Sequence, residues 1–218
     1  MTPRPPPDRL SGLHVLADAS PRWRLSAVAQ ARAACAGGAS VVQLRAKRAP
    51  DRELLAWAAE IRGLTARAGA LLLVNDRFDL ALAAEADGAH LGQDDLPPGR
   101  IPPAARERLL LGRSTHTLEQ ASAARREPID YVAFGPVFGT RSKLSPWGPR
   151  GLAQLAAVVR SVRPLPVVAI GGIDASNAAS VRAAGAAGFA VISAVAGAGE
   201  PEAATRALVA AWREGAGA

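Results

Sequence analysis

The chain has 218 residues, enough for one full-sized core, and a formal net charge of +7 from 26 Lys and Arg against 19 Asp and Glu. Aromatic residues make up only 4% and the Arg residues are scattered, so a nucleic-acid surface, which interleaves clustered basic residues with stacking aromatics, is not expected. The single Cys35 excludes an intrachain disulfide, no apolar run reaches about 18 residues, and the first residues lack an apolar signal core; the expectation is a cytoplasmic protein without a membrane partner. The excess positive charge favours small phosphorylated molecules as ligands. Self-association into a homo-oligomer is left open.

Residues 1–12 are Pro-rich and polar and predict a disordered tail, and residues 13–218 predict one domain. From residue 13 one unit recurs eight times: an apolar strand, a polar or Gly-bearing turn, then an Ala-rich amphipathic helix. The predicted strands are 14–18, 41–45, 71–75, 89–92, 109–113, 131–136, 167–171 and 189–193. The predicted helices are 26–36, 51–68, 78–86, 104–108, 118–126, 152–162, 175–184 and 202–214, with Gly37, Gly38, Gly69 and Gly185 as helix stops. Strict alternation demands parallel strands with right-handed crossovers, and eight repeats close a sheet into a (β/α)₈ TIM barrel, an α/β fold. A doubly wound open sheet is the alternative, but the first strand is not followed by the glycine-rich turn that usually marks it.

In such a barrel the chemistry lies at the carboxyl ends of the strands. The run Leu71-Leu72-Leu73-Val74 ends in Asn75 and Asp76, and the strand at 89–92 is followed by Gln93, Asp94 and Asp95. Two neighbouring strands would bring Asp76 and Asp95 to one rim, where like charges are unfavourable unless protonated or bridged by a cation; the pair reads as a metal site. Alternatively, Asp76 only caps the helix that follows. Gln43, Arg45 and Lys47 alternate and share one face, where a guanidinium fork and an ammonium would grip a diphosphate. Ser114 and His116 follow the fifth run, and His116 could serve as an acid-base group. The connection at 135–151 is long enough for a lid, with Thr140, Ser142 and Lys143 placed to close over a departing phosphate. Gly171 and Gly172 let backbone N–H groups approach a ligand, and with Ser193 they match the phosphate cradle often found after strands seven and eight.

The segments QLRAK, NDRFDLAL, ADGAHLGQDDLP, GRSTHT, DYVAFGPVFGTRSK and VVAIGGI resemble, in order and from about residue 13 to 196, the motif series of the thiamine-phosphate synthase family. The resemblance implies a TIM barrel that joins a hydroxymethylpyrimidine diphosphate to a thiazole phosphate and releases pyrophosphate with Mg²⁺. It further implies that Gln43, Arg45, Lys47, Asn75 and Lys143 hold the diphosphate and that Asp76 and Asp95 hold Mg²⁺. Ser114 would lie near the leaving pyrophosphate, Thr140 and Ser142 would touch substrate or diphosphate, and Gly172 and Ser193 would bind the thiazole phosphate. The chain departs from the usual pattern at Ala17, Ala46 and Ser142, of which only Ser142 keeps a hydroxyl. A related thiazole tautomerase, in which His116 would move a proton, and a non-catalytic binder of the thiazole phosphate are the alternatives.

Overall fold

The computed structural model describes residues 4–140 and 146–215. Eight parallel strands form a closed barrel in sequence order: β1 (Gly12–Asp18), β2 (Val41–Arg45), β3 (Leu71–Asn75), β4 (Gly88–Leu91), β5 (Leu110–Thr115), β6 (Tyr131–Phe134), β7 (Val167–Ile170) and β8 (Gly188–Val191). Closure is made by β1, which pairs with β2 on one side and with β8 on the other, so the open doubly wound sheet does not apply. The expected alternation is found, with α1 (Ala27–Ala36), α2 (Asp51–Ala68), α3 (Phe78–Ala83), α4 (Pro103–Arg106), α5 (Leu118–Ala124), α6 (Gly151–Ser161) and α7 (Ala178–Ala183) between strands. After β8 come a short α8 (Ser193–Ala196) and the closing α9 (Pro201–Glu214). The sequence reading has no counterpart of α8, whose four residues are too few to show a helical period.

The strands read as nearly continuous apolar runs because each is buried on both faces. Outward positions such as Val15, Leu44, Val74, Leu91, Phe134 and Phe189 pack against the helices. Inward positions such as Leu16, Val41, Leu73, Leu110, Tyr131 and Val168 fill the barrel. Helix α2 shows how a covering helix is specified: Leu54, Ala58, Ile61 and Leu64 recur at three- and four-residue spacing and are buried. It ends where Gly69 turns left-handed at φ 68°, a conformation a side chain would resist. Helix α9 closes the last gap by stacking Trp212 on Phe189 at 4.9 Å between centroids. Among the described residues no helix is long and apolar enough to cross a membrane.

Within the stretch 1–12 expected to be a disordered tail, residues 7–10 and 12 take up defined structure. Pro7–Leu10 form a 3-10 turn, and Leu10 is fully buried in the apolar cluster that includes Leu71, Leu110 and Tyr131. Arg9 Nη2 donates to the Gly69 carbonyl at 2.5 Å, Arg4 Nε to the Leu109 carbonyl at 3.0 Å, and the Arg4 guanidinium pairs with Asp130. The physical reason is the unfilled floor of an eight-stranded barrel, which Leu10 plugs; one apolar residue among prolines gives no periodic signal. Leu10→Ala should therefore destabilise the protein by about 3 kcal/mol, read by urea denaturation. A loss below about 1 kcal/mol, well short of the usual cost of emptying a core site, would show that the plug adds nothing to the floor.

Candidate active site

The carboxyl ends of the strands form two adjoining regions. The first is a pocket entering the barrel, lined by His14, Gln43, His90, Ser114, His116, Tyr131 and Thr140, with Gly171, Gly172 and Ser193 at one side and Leu16, Val168, Ile170 and Ala190 supplying apolar wall. The second is a charged edge at the ends of β2, β3 and β4.

At that edge Asp76 and Asp95 do come together, close enough for their carboxyls to share a hydrogen bond. Asp76 sits at φ 68°, a left-handed conformation that Asp tolerates better than most side chains, and its N–H donates to the His90 carbonyl at 2.7 Å. This turn aims its carboxylate along the rim. The residue before α3 is Arg77, with no side-chain cap, so the helix-capping alternative for Asp76 is not what forms. Asp95 accepts from the Gly92 N–H at 2.5 Å, which folds the β4 loop back on itself. Burial first, and then the neighbouring Asp76, push the Asp95 carboxyl above the usual carboxylate range; the Gly92 N–H and the Lys47 charge oppose the shift. Lys47 Nζ meets Asp76 Oδ2 at 3.1 Å and supplies part of the missing positive charge.

Arg45 lies beside them. Its Nη1 donates to Asp18 Oδ1 at 2.9 Å, and Asp18 Oδ2 accepts from Trp23 Nε1 at 2.9 Å. Three buried polar atoms of these strand ends lack a hydrogen-bond partner among the described residues: Arg45 Nε, Asn75 Nδ2 and Gln43 Oε1. Buried polar groups are rarely left so, and their clustering on two neighbouring strands is what a site awaiting a polar ligand shows. Arg45 Nε and Asn75 Nδ2 are donors, and a turn of the Gln43 amide offers a third.

Across the pocket, His116 Nδ1 donates to the Gly135 carbonyl at 2.6 Å, and the imidazole stacks on Trp147 at 5.5 Å. Trp147 in turn carries the Arg150 guanidinium at 4.8 Å, so its ring meets both His116 and Arg150. Gly171 and Gly172 have φ of 102° and 67°, and a Cβ on Gly172 would overlap the Gly139 carbonyl. These two glycines let Pro136, Phe138 and Gly139 lie directly on the end of β7. Ser193 lines the pocket as the first residue of α8. Ser142 and Lys143 lie outside the described residues.

The structure thus groups Gln43, Ser114, His116, Thr140, Gly172 and Ser193 around the pocket, and Arg45, Lys47, Asn75, Asp76 and Asp95 along its charged edge. The sequence reading did not include His14, His90 and Tyr131 among the site residues. All three face inward, and the signal available was parity: His90 lies two residues before Gly92, and Tyr131 is paired with Gly112, two residues before Ser114 in β5. Burial lowers His14 to about 4, partly offset by its bond to the Leu10 carbonyl, so it is neutral at physiological pH.

Comparison with known proteins bears on the family and the fold. The family model described as thiamine monophosphate synthase matches residues 13–195. A thiamine-phosphate synthase of Anaeromyxobacter dehalogenans is 51% identical over 210 residues, covering 95% of this chain and 90% of that protein. One from Methanoculleus marisnigri is 52% identical over 182 residues, 82% of this chain and 84% of that one. Among solved structures, thiamine phosphate pyrophosphorylase from Pyrococcus furiosus superposes with a TM-score of 0.83 at 38% identity, covering 96% of this chain and 98% of that one. A 3-hexulose-6-phosphate synthase, at 19% identity and a TM-score of 0.66, shares the barrel alone. With its fold, its motif order and most of its length accounted for in this way, the chain belongs to the thiamine monophosphate synthase family.

Proposed function

We infer that the chain is a thiamine-phosphate synthase, a transferase that joins 4-amino-2-methyl-5-hydroxymethylpyrimidine diphosphate to a thiazole phosphate and releases pyrophosphate. The observation that carries this reading is the set of orphaned polar atoms on Gln43, Arg45 and Asn75 beside Lys47 and the carboxylate pair. Donors and a hard-cation site at one rim suit a diphosphate, and a Gly-lined pocket beside them suits a second, phosphorylated partner.

The donor set fits Mg²⁺. Among the described residues no three His, Cys, Asp or Glu side chains converge, so Asp76 and Asp95 alone would make a weak protein site. Mg²⁺ is commonly held in just this way, by one or two carboxylates completed by substrate phosphate oxygens and water. When bound, it would neutralise charge that builds on the departing diphosphate. Arg45, Asn75 and Lys47, together with Lys143, would hold the same oxygens through charge-assisted hydrogen bonds. The pocket walls would keep water from the reacting carbon while the thiazole nitrogen takes the place of the leaving group. Gly172 and Ser193 would seat the thiazole phosphate, and Thr140 and Ser142 would bound the reacting centre.

The position of His116 in the pocket wall, with Nδ1 held by the Gly135 carbonyl, is the observation that favours the tautomerase as a second reading. Purified protein supplied with the pyrimidine diphosphate, the aromatic thiazole phosphate and Mg²⁺ should yield thiamine phosphate and pyrophosphate. EDTA should stop the reaction and added Mg²⁺ restore it. Conversion of the non-aromatic thiazole precursor without any thiamine phosphate, lost in His116→Ala and indifferent to metal, would establish the tautomerase instead. Binding without either reaction would leave a regulatory binder.

A further inference from the structure

A chain of hydrogen bonds links β6, β4 and β5 within the lining of the pocket. Tyr131 Oη and His90 Nδ1 are 2.8 Å apart, and His90 Nε2 and Ser114 Oγ are also 2.8 Å apart. The directions of these bonds follow from counting protons. Tyr131 is buried, and His90 Nδ1 is the only hydrogen-bond partner of its hydroxyl among the described residues. A phenol that accepted from Nδ1–H would leave its own hydrogen buried and unmade, which costs free energy, whereas a phenol that donates to a bare Nδ1 wastes nothing. Burial and the charge of Asp130 both raise the Tyr131 phenol above its usual range, so it keeps its proton. With Nδ1 accepting, the proton of the neutral ring sits on Nε2, which donates to Ser114 Oγ. The Ser114 hydroxyl then has its oxygen engaged and its hydrogen left to point into the pocket.

The phenol is held rigidly enough to impose this order. Gly112 lies opposite it on β5, where any Cβ would overlap the ring. On its other side His14 meets the ring in an edge arrangement, with centroids 6.0 Å apart and an interplanar angle of 64°. His14 is itself fixed, because Nε2 donates at 2.7 Å to the carbonyl of Leu10, which can only accept. The amino-terminal plug therefore supports the pocket floor through His14 and Tyr131.

We propose that Tyr131 is a positioning residue which, through the tautomer it imposes on His90, presents the Ser114 hydroxyl to the pocket as a hydrogen-bond donor. It rests on the synthase reading in one respect: the acceptor would be an oxygen of the departing diphosphate, where a donor gains strength as charge develops. The polarity of the chain itself does not depend on that reading.

Two measurements on the full-length protein test the proposal. Long-range ¹⁵N correlation spectra should show His90 as the Nε2–H tautomer in the unmodified protein and shift it toward Nδ1–H in Tyr131→Phe, a substitution that removes one oxygen and leaves the ring in place. In the coupling assay, Ser114→Ala should slow pyrophosphate release about a hundredfold, as loss of a single charge-stabilising donor does. Tyr131→Phe should slow it about tenfold, in the range found when an outer support is removed. The double variant should be no slower than Ser114→Ala alone, since Tyr131 acts only through that hydroxyl. A merely structural role would give multiplied losses, and that result would overturn the proposal. So would an Nδ1–H tautomer of His90 in the unmodified protein. If the unmodified protein makes no thiamine phosphate, the synthase reading fails while the spectra still decide the polarity of the chain.

Discussion

Asp95→Asn is expected to lower pyrophosphate release by about three orders of magnitude, the scale on which charge stabilisation contributes to such reactions, and in metal-free solution to raise the melting temperature. The two effects share one cause. Asp95 is pushed above the usual carboxylate range by burial and by Asp76, so the folded protein binds its proton more tightly than the unfolded chain does. Stability from this group is then full below the unfolded value and is lost as pH rises through the folded one. At neutral pH the ionised pair is at its least favourable, with Lys47 offsetting only part of the repulsion. Asn keeps an acceptor for the Gly92 N–H and removes the charge. The gain in melting temperature should be positive at pH 7 and vanish below about pH 4, where an ordinary Asp carboxyl is itself protonated. Mg²⁺ should reverse the order by raising the melting temperature of the unmodified protein alone. Wild-type turnover in Asp95→Asn, or equal stabilisation of both proteins by Mg²⁺, would remove Asp95 from the metal site.

That prediction could be framed from the sequence because the rim of a barrel is unusually legible. Where an apolar run stops at Asn75-Asp76, or at Gly92 before Asp95, the change in polarity marks the end of a strand buried on both faces, and the observed ends of β3 and β4, Asn75 and Leu91, fall at or next to those stops. Only the turn itself was hidden: nothing in Asn75-Asp76-Arg77 announces a left-handed Asp in place of a helix cap. The interior was less readable for a different reason. Val41, Leu73, Tyr131 and Val168 look alike in a run of apolar letters, and the meeting of His14 with Tyr131 joins β1 to β6 across the barrel. No local pattern records such a contact; only the parity of residues along each strand does, counted inward from a rim residue. The plug at Leu10 was missed on the same ground, since the cluster it joins is drawn from strands distant in sequence, β3, β5 and β6 among them.

Arg45→Ala marks the place where rim position misleads most. Residues at the carboxyl face of a barrel rarely support its core, and by that rule the substitution would cost activity and leave the fold intact. The structure predicts otherwise. Asp18 is 3% exposed, and its charge is met by Arg45 at 2.9 Å and by the Trp23 indole. Removing the guanidinium strands a buried carboxylate, and breaking a buried pair from one side costs about 3–5 kcal/mol. Chemical denaturation of Arg45→Ala should register a loss near the lower figure, because water can reach part of the vacated volume. Pyrophosphate release should fall at least about a hundredfold in parallel, as the orphaned Arg45 Nε is one of the donors offered to the diphosphate. The two losses can be separated. Asp18→Asn combined with Arg45→Ala removes the stranded charge while keeping an acceptor for Trp23, so stability should return in large part and turnover should not. A single variant as stable as the unmodified protein would show that the ion pair contributes nothing to the fold. A double variant that regains turnover would show that Arg45 serves Asp18 rather than the diphosphate, and the charged edge would then have to hold its ligand through Lys47, Asn75 and Lys143 alone.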